Sequence, residues 1–179
     1  MKKSNIALIG FMGTGKSIIG KKIAKKLNKA FIEMDDIIVE NAGKSIPSIF
    51  KDDGEIRFRE IEIQTCKELS KRKNTVISCG GGIILNKINL DYLNLSSVII
   101  CLNASPESIY ERTMKDGKEK RPLLSNPNPM KSINDLLEYR EPLYKRATNH
   151  HINTTNLSIE QCADEVIRTY NNEIIGENG

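Results

Sequence analysis

The sequence predicts an α/β domain in which a parallel sheet is covered by helices on both faces. Three observations carry that prediction. Short apolar runs alternate with longer amphipathic stretches, the pattern of repeated strand–helix–strand units. Two of the runs, Thr75 to Cys79 and Val98 to Leu102, are rich in β-branched residues and apolar on both faces, as strands buried between helical layers must be. The first run ends in a glycine-rich turn that leads directly into a helix-period segment. At 179 residues the chain fits one domain spanning residues 1–179.

Each element has its own signal. Asn5 to Ile9 reads as a strand ending at Gly10. Gly15 to Asn28 reads as a helix, because Ile19, Ile23 and Leu27 recur every four residues with Ile18 and Ala24 flanking them. Lys21, Lys22, Lys25, Lys26 and Lys29 fall mostly on the other side, the ordinary composition of a solvated face. Ala30 to Met34 is a second strand. Gly54 to Arg72 is a long charged helix with Phe58, Ile61 and Leu69 inward. Ser105-Pro106 places an N-cap before a proline at the first helical position. Asp116 to Pro129, with Gly117, Pro122, Pro127 and Pro129, loses periodicity and reads as a loop. Ser158-Ile159-Glu160-Gln161 is a capping box, followed by the stripe Ile159, Cys162, Ala163, Val166, Ile167 and Tyr170. The polar tail from Asn171 to Gly179 is expected to fray.

Composition excludes several classes. Lys and Arg number 27 against 23 Asp and Glu, a net charge of only +4. Charged residues at 28% and apolar ones at 39% fit neither a disordered nor a membrane chain. No apolar run approaches the roughly 20 residues of a membrane span. The aromatic residues do not alternate with basic ones, so a nucleic-acid stacking platform is not expected. At the N-terminus two lysines precede a very short apolar run and then glycine, which predicts a cytoplasmic protein. Cys66, Cys79, Cys101 and Cys162 are scattered, so neither zinc nor a disulfide framework is expected; Cys79 and Cys101 should be buried thiols.

The chemistry begins at Gly10-Phe11-Met12-Gly13-Thr14-Gly15-Lys16-Ser17, a full match to G-x-x-x-x-G-K-[ST] between a strand and a helix. Glycines let the backbone curl so that its N–H groups face phosphates, and the helix N-terminus adds a favourable dipole. Gly13, Thr14, Gly15, Lys16, Ser17 and Ile18 are the expected nucleotide contacts. Lys16 would reach the β- and γ-phosphates and Ser17 would ligate Mg²⁺. The loop specifies a nucleoside triphosphate and leaves the second substrate open. Glu33, Asp35 and Asp36 lie where the second strand ends, the place where ligands gather in open α/β sheets. One of them could hold Mg²⁺ while another orients an attacking hydroxyl; as ordinary residues, Asp35 or Asp36 would cap the next helix. Gly80-Gly81-Gly82 after the third strand serve a turn or a close backbone approach to a ligand. Arg57, Arg59 and Arg140 are candidate anion clamps, since arginine grips a carboxylate in a fork that lysine cannot copy.

Several further motifs resemble one family. Phe31 to Phe50 is similar to the D-x-D segment and following A-G-x-S-I-x-x-I-F of the shikimate kinases. Gly54-Glu55 with Phe58-Arg59 and Glu62 resembles their G-E-x-x-F-R-x-x-E. Gly80-Gly81-Gly82, Arg121-Pro122-Leu123-Leu124 and Tyr139-Arg140-Glu141-Pro142-Leu143-Tyr144 match G-G-G, R-P-L-L and Y-R-x-P-L-Y in the family's order. The resemblance implies a three-layer α/β/α P-loop kinase fold with a central, mainly five-stranded parallel sheet. It implies an acceptor-binding helical segment over about 33–62 and a mobile lid over about 116–129. It implies transfer of the γ-phosphoryl group of ATP to the 3-hydroxyl of shikimate, with Mg²⁺, in a monomer that binds neither nucleic acid nor membrane. By the same resemblance Asp35 would hold the ring hydroxyls and take the proton of the reacting one. Arg59 and Arg140 would clamp the carboxylate, and Gly80, Gly81 and Gly82 would offer backbone contacts. Arg121 would close over the transferring group, and Arg112 would stack on adenine.

The chain departs from the family pattern at Glu33, which stands where the first Asp of D-x-D is usual. The carboxylate remains, one methylene longer, and the resemblance gives it to Mg²⁺. Two other readings stay open on the residues themselves. One is a P-loop kinase for a different small acceptor, such as gluconate or a nucleotide. The other is a non-enzymatic ATP- or nucleic-acid-binding module, suggested by the basic first helix.

Overall fold

The computed structural model describes residues 3–115 and 127–176. The expectations for Arg121 and for most of the lid, 116–126, lie outside them. Five parallel strands form one sheet in the order β2-β3-β1-β4-β5: β1 (Asn5–Ile9), β2 (Ala30–Glu33), β3 (Thr75–Ser78), β4 (Ser97–Asn103) and β5 (His151–Asn153). Among the described residues eight α-helices cross between and around them: α1 (Lys16–Leu27), α2 (Met34–Ala42), α3 (Ile46–Asp52), α4 (Gly54–Leu69), α5 (Lys87–Asn94), α6 (Pro106–Lys115), α7 (Pro129–Ala147) and α8 (Ile159–Gly176).

The apolar runs are continuous because both faces of the sheet are covered. Ile6, Leu8, Val76, Val98, Ile100, Leu102 and Ile152 face α1 and α8, where they meet Ile19, Ile23, Cys162, Ala163, Val166 and Tyr170. The alternate residues Ala7, Ile9, Ile77, Cys79, Ile99 and Cys101 pack with Met34, Ile38, Ile49, Phe58, Leu69, Ile109, Ile133 and Tyr144 from the other helices. All four cysteines are buried and free. Buried Asn5 binds three segments together at the foot of β1, donating to the Arg72 carbonyl at 2.7 Å and Ser96 Oγ at 3.1 Å and accepting from Thr75 N–H at 3.0 Å.

The caps form as expected. Ser105 Oγ accepts from Ser108 N–H at 3.2 Å. Ser158 and Gln161 exchange side-chain and backbone bonds at 2.9 and 3.2 Å. The lysine face of α1 is held down in part by its neighbours. Lys22 and Lys26 pair with Glu160, Lys26 also with Asp164, and Lys29 donates to the Ser4 carbonyl.

Several expectations change, among them β3, which ends at Ser78 rather than Cys79, and β4, which runs one residue further at each end. Strand β2 ends at Glu33, one residue early, because Met34 opens α2 and buries its side chain in the core. The long helix α4 ends at Leu69 rather than Arg72. The tail does not fray at Tyr170: α8 runs on to Gly176, since Ile174 continues the apolar stripe and Glu173 pairs with His150 at 3.2 Å. Pro129, expected at the end of a loop, is the first residue of α7, capped by Asn128 Oδ1 on Lys131 N–H at 3.1 Å.

Candidate active site

The phosphate loop is shaped by steric exclusion. Gly10, Gly13 and Gly15 have φ of 139°, 72° and 93°, a region that disfavours side chains. A Cβ on Gly10 would stand 2.2 Å from the Leu102 carbonyl oxygen, so β4 closes directly against the loop. Lys16 Nζ donates to the Gly10 and Phe11 carbonyls, both at 2.9 Å, and so spans the loop. Thr14 is buried and its hydroxyl donates back to Phe11 O at 2.8 Å. Its side chain therefore holds the loop's shape and leaves only the backbone for phosphate. Ser17 and Ile18 lie in the first turn of α1 and are exposed.

A cleft of about 630 Å³ opens at the carboxyl ends of β1, β2 and β3. The phosphate loop lines one wall, from Met12 to Ile18 apart from Thr14. Glu33, Asp35, Cys79, Gly80 and Gly81 line the other, with Arg112 and Lys115 at the α6 side. Of the three acids, Glu33 and Asp35 face this space and Asp36 is exposed outside it. The cap position of α2 is Glu33, without a side-chain capping bond, so neither aspartate serves as N-cap. Burial raises the Asp35 pKa above the usual carboxylate range, the Glu33 charge adds to that, and Lys16 opposes it.

Each of the three glycines makes room for a different group. A Cβ on Gly80 would lie 3.1 Å from Asp35 Oδ1. One on Gly81 would lie 3.6 Å from the Gly10 carbonyl and 3.8 Å from Arg140 Nη1. One on Gly82 would lie 2.9 Å from Arg59 Nη1. The tripeptide thus brings the candidate base, the phosphate loop and both family-matched arginines to a single turn.

Arg59 is held by Glu55 at 3.1 Å and by buried Glu62 at 3.0 Å. Burial raises the Glu62 pKa against the opposing pull of Arg59. Arg140 donates weakly to the Gly81 carbonyl at 3.5 Å and stands 5.8 Å over the Phe11 ring, and its buried Nε has no partner among the described residues. Arg57 leaves the site: it is exposed and pairs with Glu60 at 2.9 Å.

Arg112 borders the cleft while bonding to the Gly13 carbonyl at 3.3 Å and to the Thr154 hydroxyl and carbonyl at 3.0 and 2.8 Å. It therefore braces the phosphate loop against the end of β5. Two contributors had no role in the sequence reading. Tyr144 donates to the Gly81 carbonyl at 2.7 Å; its place one helical turn after Arg140 could have revealed it. The single proton of the buried Thr154 hydroxyl is shared between the Asn103 and Thr14 carbonyls, at 3.0 and 3.2 Å, and nothing in the local sequence marks it.

The donor set of Ser17, Glu33 and Asp35 is all oxygen, which suits Mg²⁺. Among the described residues no three His, Cys, Asp or Glu side chains form a closed metal cage.

The chain is similar to known proteins over most of its length. The shikimate kinase family model matches residues 12–171. Shikimate kinase of Thermodesulfovibrio yellowstonii is 43% identical over 93% of this chain and 94% of its own. That of Caldanaerobacter subterraneus subsp. tengcongensis is 44% identical over 93% and 95%. Among solved structures, shikimate kinase from Acinetobacter baumannii in complex with shikimate superposes with a TM-score of 0.87 at 33% identity, covering 96% of this chain and 94% of that one. A gluconokinase from Sinorhizobium meliloti, at 18% identity and a TM-score of 0.59, shares the fold alone. With a phosphate loop, a carboxylate wall and two arginines gathered on one glycine turn, and with relatives of this similarity over nearly its whole length, the chain belongs to the shikimate kinase family.

Proposed function

We propose that the cleft transfers the γ-phosphoryl group of ATP to the 3-hydroxyl of shikimate, giving shikimate 3-phosphate and ADP. The observation that carries this reading is the glycine turn, where Asp35, the phosphate loop, Arg140 and Arg59 converge. Arg59 and Arg140 grip the acceptor carboxylate, and the two-point hold sets the ring orientation. Asp35 accepts the proton of the attacking hydroxyl as its oxygen bonds to the γ-phosphorus and the bond to the β-phosphate oxygen breaks. Partial burial lifts Asp35 toward the pH at which a carboxylate is an effective base. The phosphate-loop N–H groups and Lys16 bear the charge developing on the transferred group.

Ser17 and Glu33 are the residues that would hold Mg²⁺, which when bound neutralises phosphate charge. Arg112 would lie against the adenine, and Arg121 would act from the lid. Among the described residues no helix is long and apolar enough to cross a membrane. The same reading places a monomeric enzyme in the cytoplasm, and four free buried thiols suit a reducing compartment.

The test is ADP release with ATP and Mg²⁺, with and without shikimate, with Lys16→Ala as the blank. Release that depends on shikimate and vanishes in the variant is expected. A folded, ATP-binding protein that shikimate does not stimulate would overturn the acceptor assignment, and gluconate and nucleotides would be tried next.

A further inference from the structure

Asn89 lies in α5, outside the cleft and fully buried. Its Nδ2 donates to Glu62 Oε2 at 3.0 Å and to the Ile83 carbonyl at 3.3 Å. A carboxylate and a carbonyl only accept, so the amide must present its NH₂ to both. Its Oδ1 is buried and has no partner among the described residues. An unsatisfied buried oxygen costs stability, and an apolar residue of similar size would avoid that cost. Asn89 is thus kept for its donors.

The donors tie α4, through Glu62, to the backbone that follows the glycine turn, at Ile83. Glu62 Oε2, which accepts from Asn89, also accepts from Arg59 Nη1 at 3.0 Å. Ile83 follows Gly82, whose missing Cβ leaves the space that the Arg59 guanidinium occupies. We infer that Asn89 is a positioning residue for the acceptor: by tying the Glu62 carboxylate to the Ile83 carbonyl, it fixes the Arg59 guanidinium in the orientation that grips a carboxylate. The inference rests on the proposed role of Arg59.

The experiment compares Asn89→Leu, Arg59→Lys and Glu62→Gln, alone and with Asn89→Leu combined with Glu62→Gln, in steady-state assays that vary shikimate and ATP separately. Asn89→Leu should raise the shikimate KM about tenfold, the scale of one charged hydrogen bond, while kcat and the ATP KM stay within about twofold. In the Glu62→Gln background it should add less than about twofold, because its effect passes through Glu62. If the leucine variant does not fold, Asn89→Ser, smaller and too short to reach both acceptors, decides on the same split. An unchanged shikimate KM in a folded Asn89 variant, with Arg59→Lys impaired, overturns this inference alone. So does an equal rise in both KM values, or a full tenfold effect in the Glu62→Gln background. An unchanged shikimate KM in Arg59→Lys overturns the Arg59 role and this inference with it.

Discussion

The two walls of the cleft are built on opposite plans. The phosphate wall comes from one stretch of eight residues, Gly10 to Ser17, which sets its own curve and is braced from outside by Arg112 and Thr154. Lys16 and Thr14 donate to carbonyls of the same loop, and positive φ values fix the curve. The side proposed for the acceptor takes Asp35 from α2 and the glycines from the turn after β3, with Arg59 from α4 and Arg140 from α7 set against that turn rather than among the cleft-lining residues. Arg59 is held within its own helix by Glu55 and Glu62, while Arg140 reaches across to the Gly81 carbonyl of the turn. Binding phosphate needs a fixed shape that many proteins share. Recognising one acid needs charges aimed by separate elements.

The same substitution on the two walls should separate them. Gly10→Ala puts a Cβ 2.2 Å from a β4 carbonyl at a φ of 139°, and backbone cannot yield. A loss of about 3 kcal/mol or more of unfolding free energy is expected from denaturant titration, with no measurable turnover. Asp35→Asn comes next. It should lower kcat about 10²- to 10³-fold with the ATP KM nearly unchanged, the signature of a lost base beside an intact phosphate wall. A kcat near wild type would remove Asp35 from the chemistry. Arg59→Lys or Arg140→Lys should raise the shikimate KM about twentyfold, since the fork geometry is lost while the charge stays. Unchanged kinetics in both would dissolve the clamp.

A smaller effect is set by pH. Burial raises the Glu62 pKa, Asp35 adds to the shift, and Arg59 and Asn89 oppose it. As pH falls, Glu62 takes a proton above the ordinary glutamate range of about 4.3, and Arg59 loses its buried partner. The shikimate KM should then rise on the acid side, several-fold, while the ATP KM does not. Glu62→Gln should abolish that rise. The stability sign follows from linkage: a carboxyl with a raised native pKa favours the fold most below its unfolded value, and that contribution is lost as pH climbs through the native one. Smallest of all is Gly82→Ala. Its φ of −91° suits alanine, and the new Cβ meets only the tip of Arg59. Melting temperature should hold within a few degrees while the shikimate KM rises a few-fold. A large stability loss there would mean that the acceptor wall is as rigid as the phosphate wall.

Legibility in the sequence follows the same division. The phosphate loop, β1 and α1 were readable because motif, strand and helix are contiguous. The caps at Ser105 and Ser158 were readable because capping is local. Strand β5 was not assigned to any residues, since it has three residues and only Ile152 faces the core. Helix α7 carries Pro142 in its interior and shows only Ile133 and Tyr144 as fully buried positions, which blurs its period. In the acceptor wall, residues alone nominated Arg57 equally with Arg59 and Arg140. Only the fold shows that Arg57 turns to Glu60 while Arg59 turns to Glu62. Asn89 and Thr154 act across long sequence separations and leave no local trace.

The Gly81 carbonyl has a consequence for inhibitor chemistry. A carbonyl oxygen has two lone pairs, and Tyr144 and Arg140 both donate to this one. It has little left to offer a ligand hydroxyl or amine. A molecule designed against this turn should therefore present oxygen acceptors to the arginines and backbone N–H groups. Replacing a shikimate-like carboxylate by a sulfonate or phosphonate keeps that polarity, whereas replacing it by an amide adds donors where the protein already has its own.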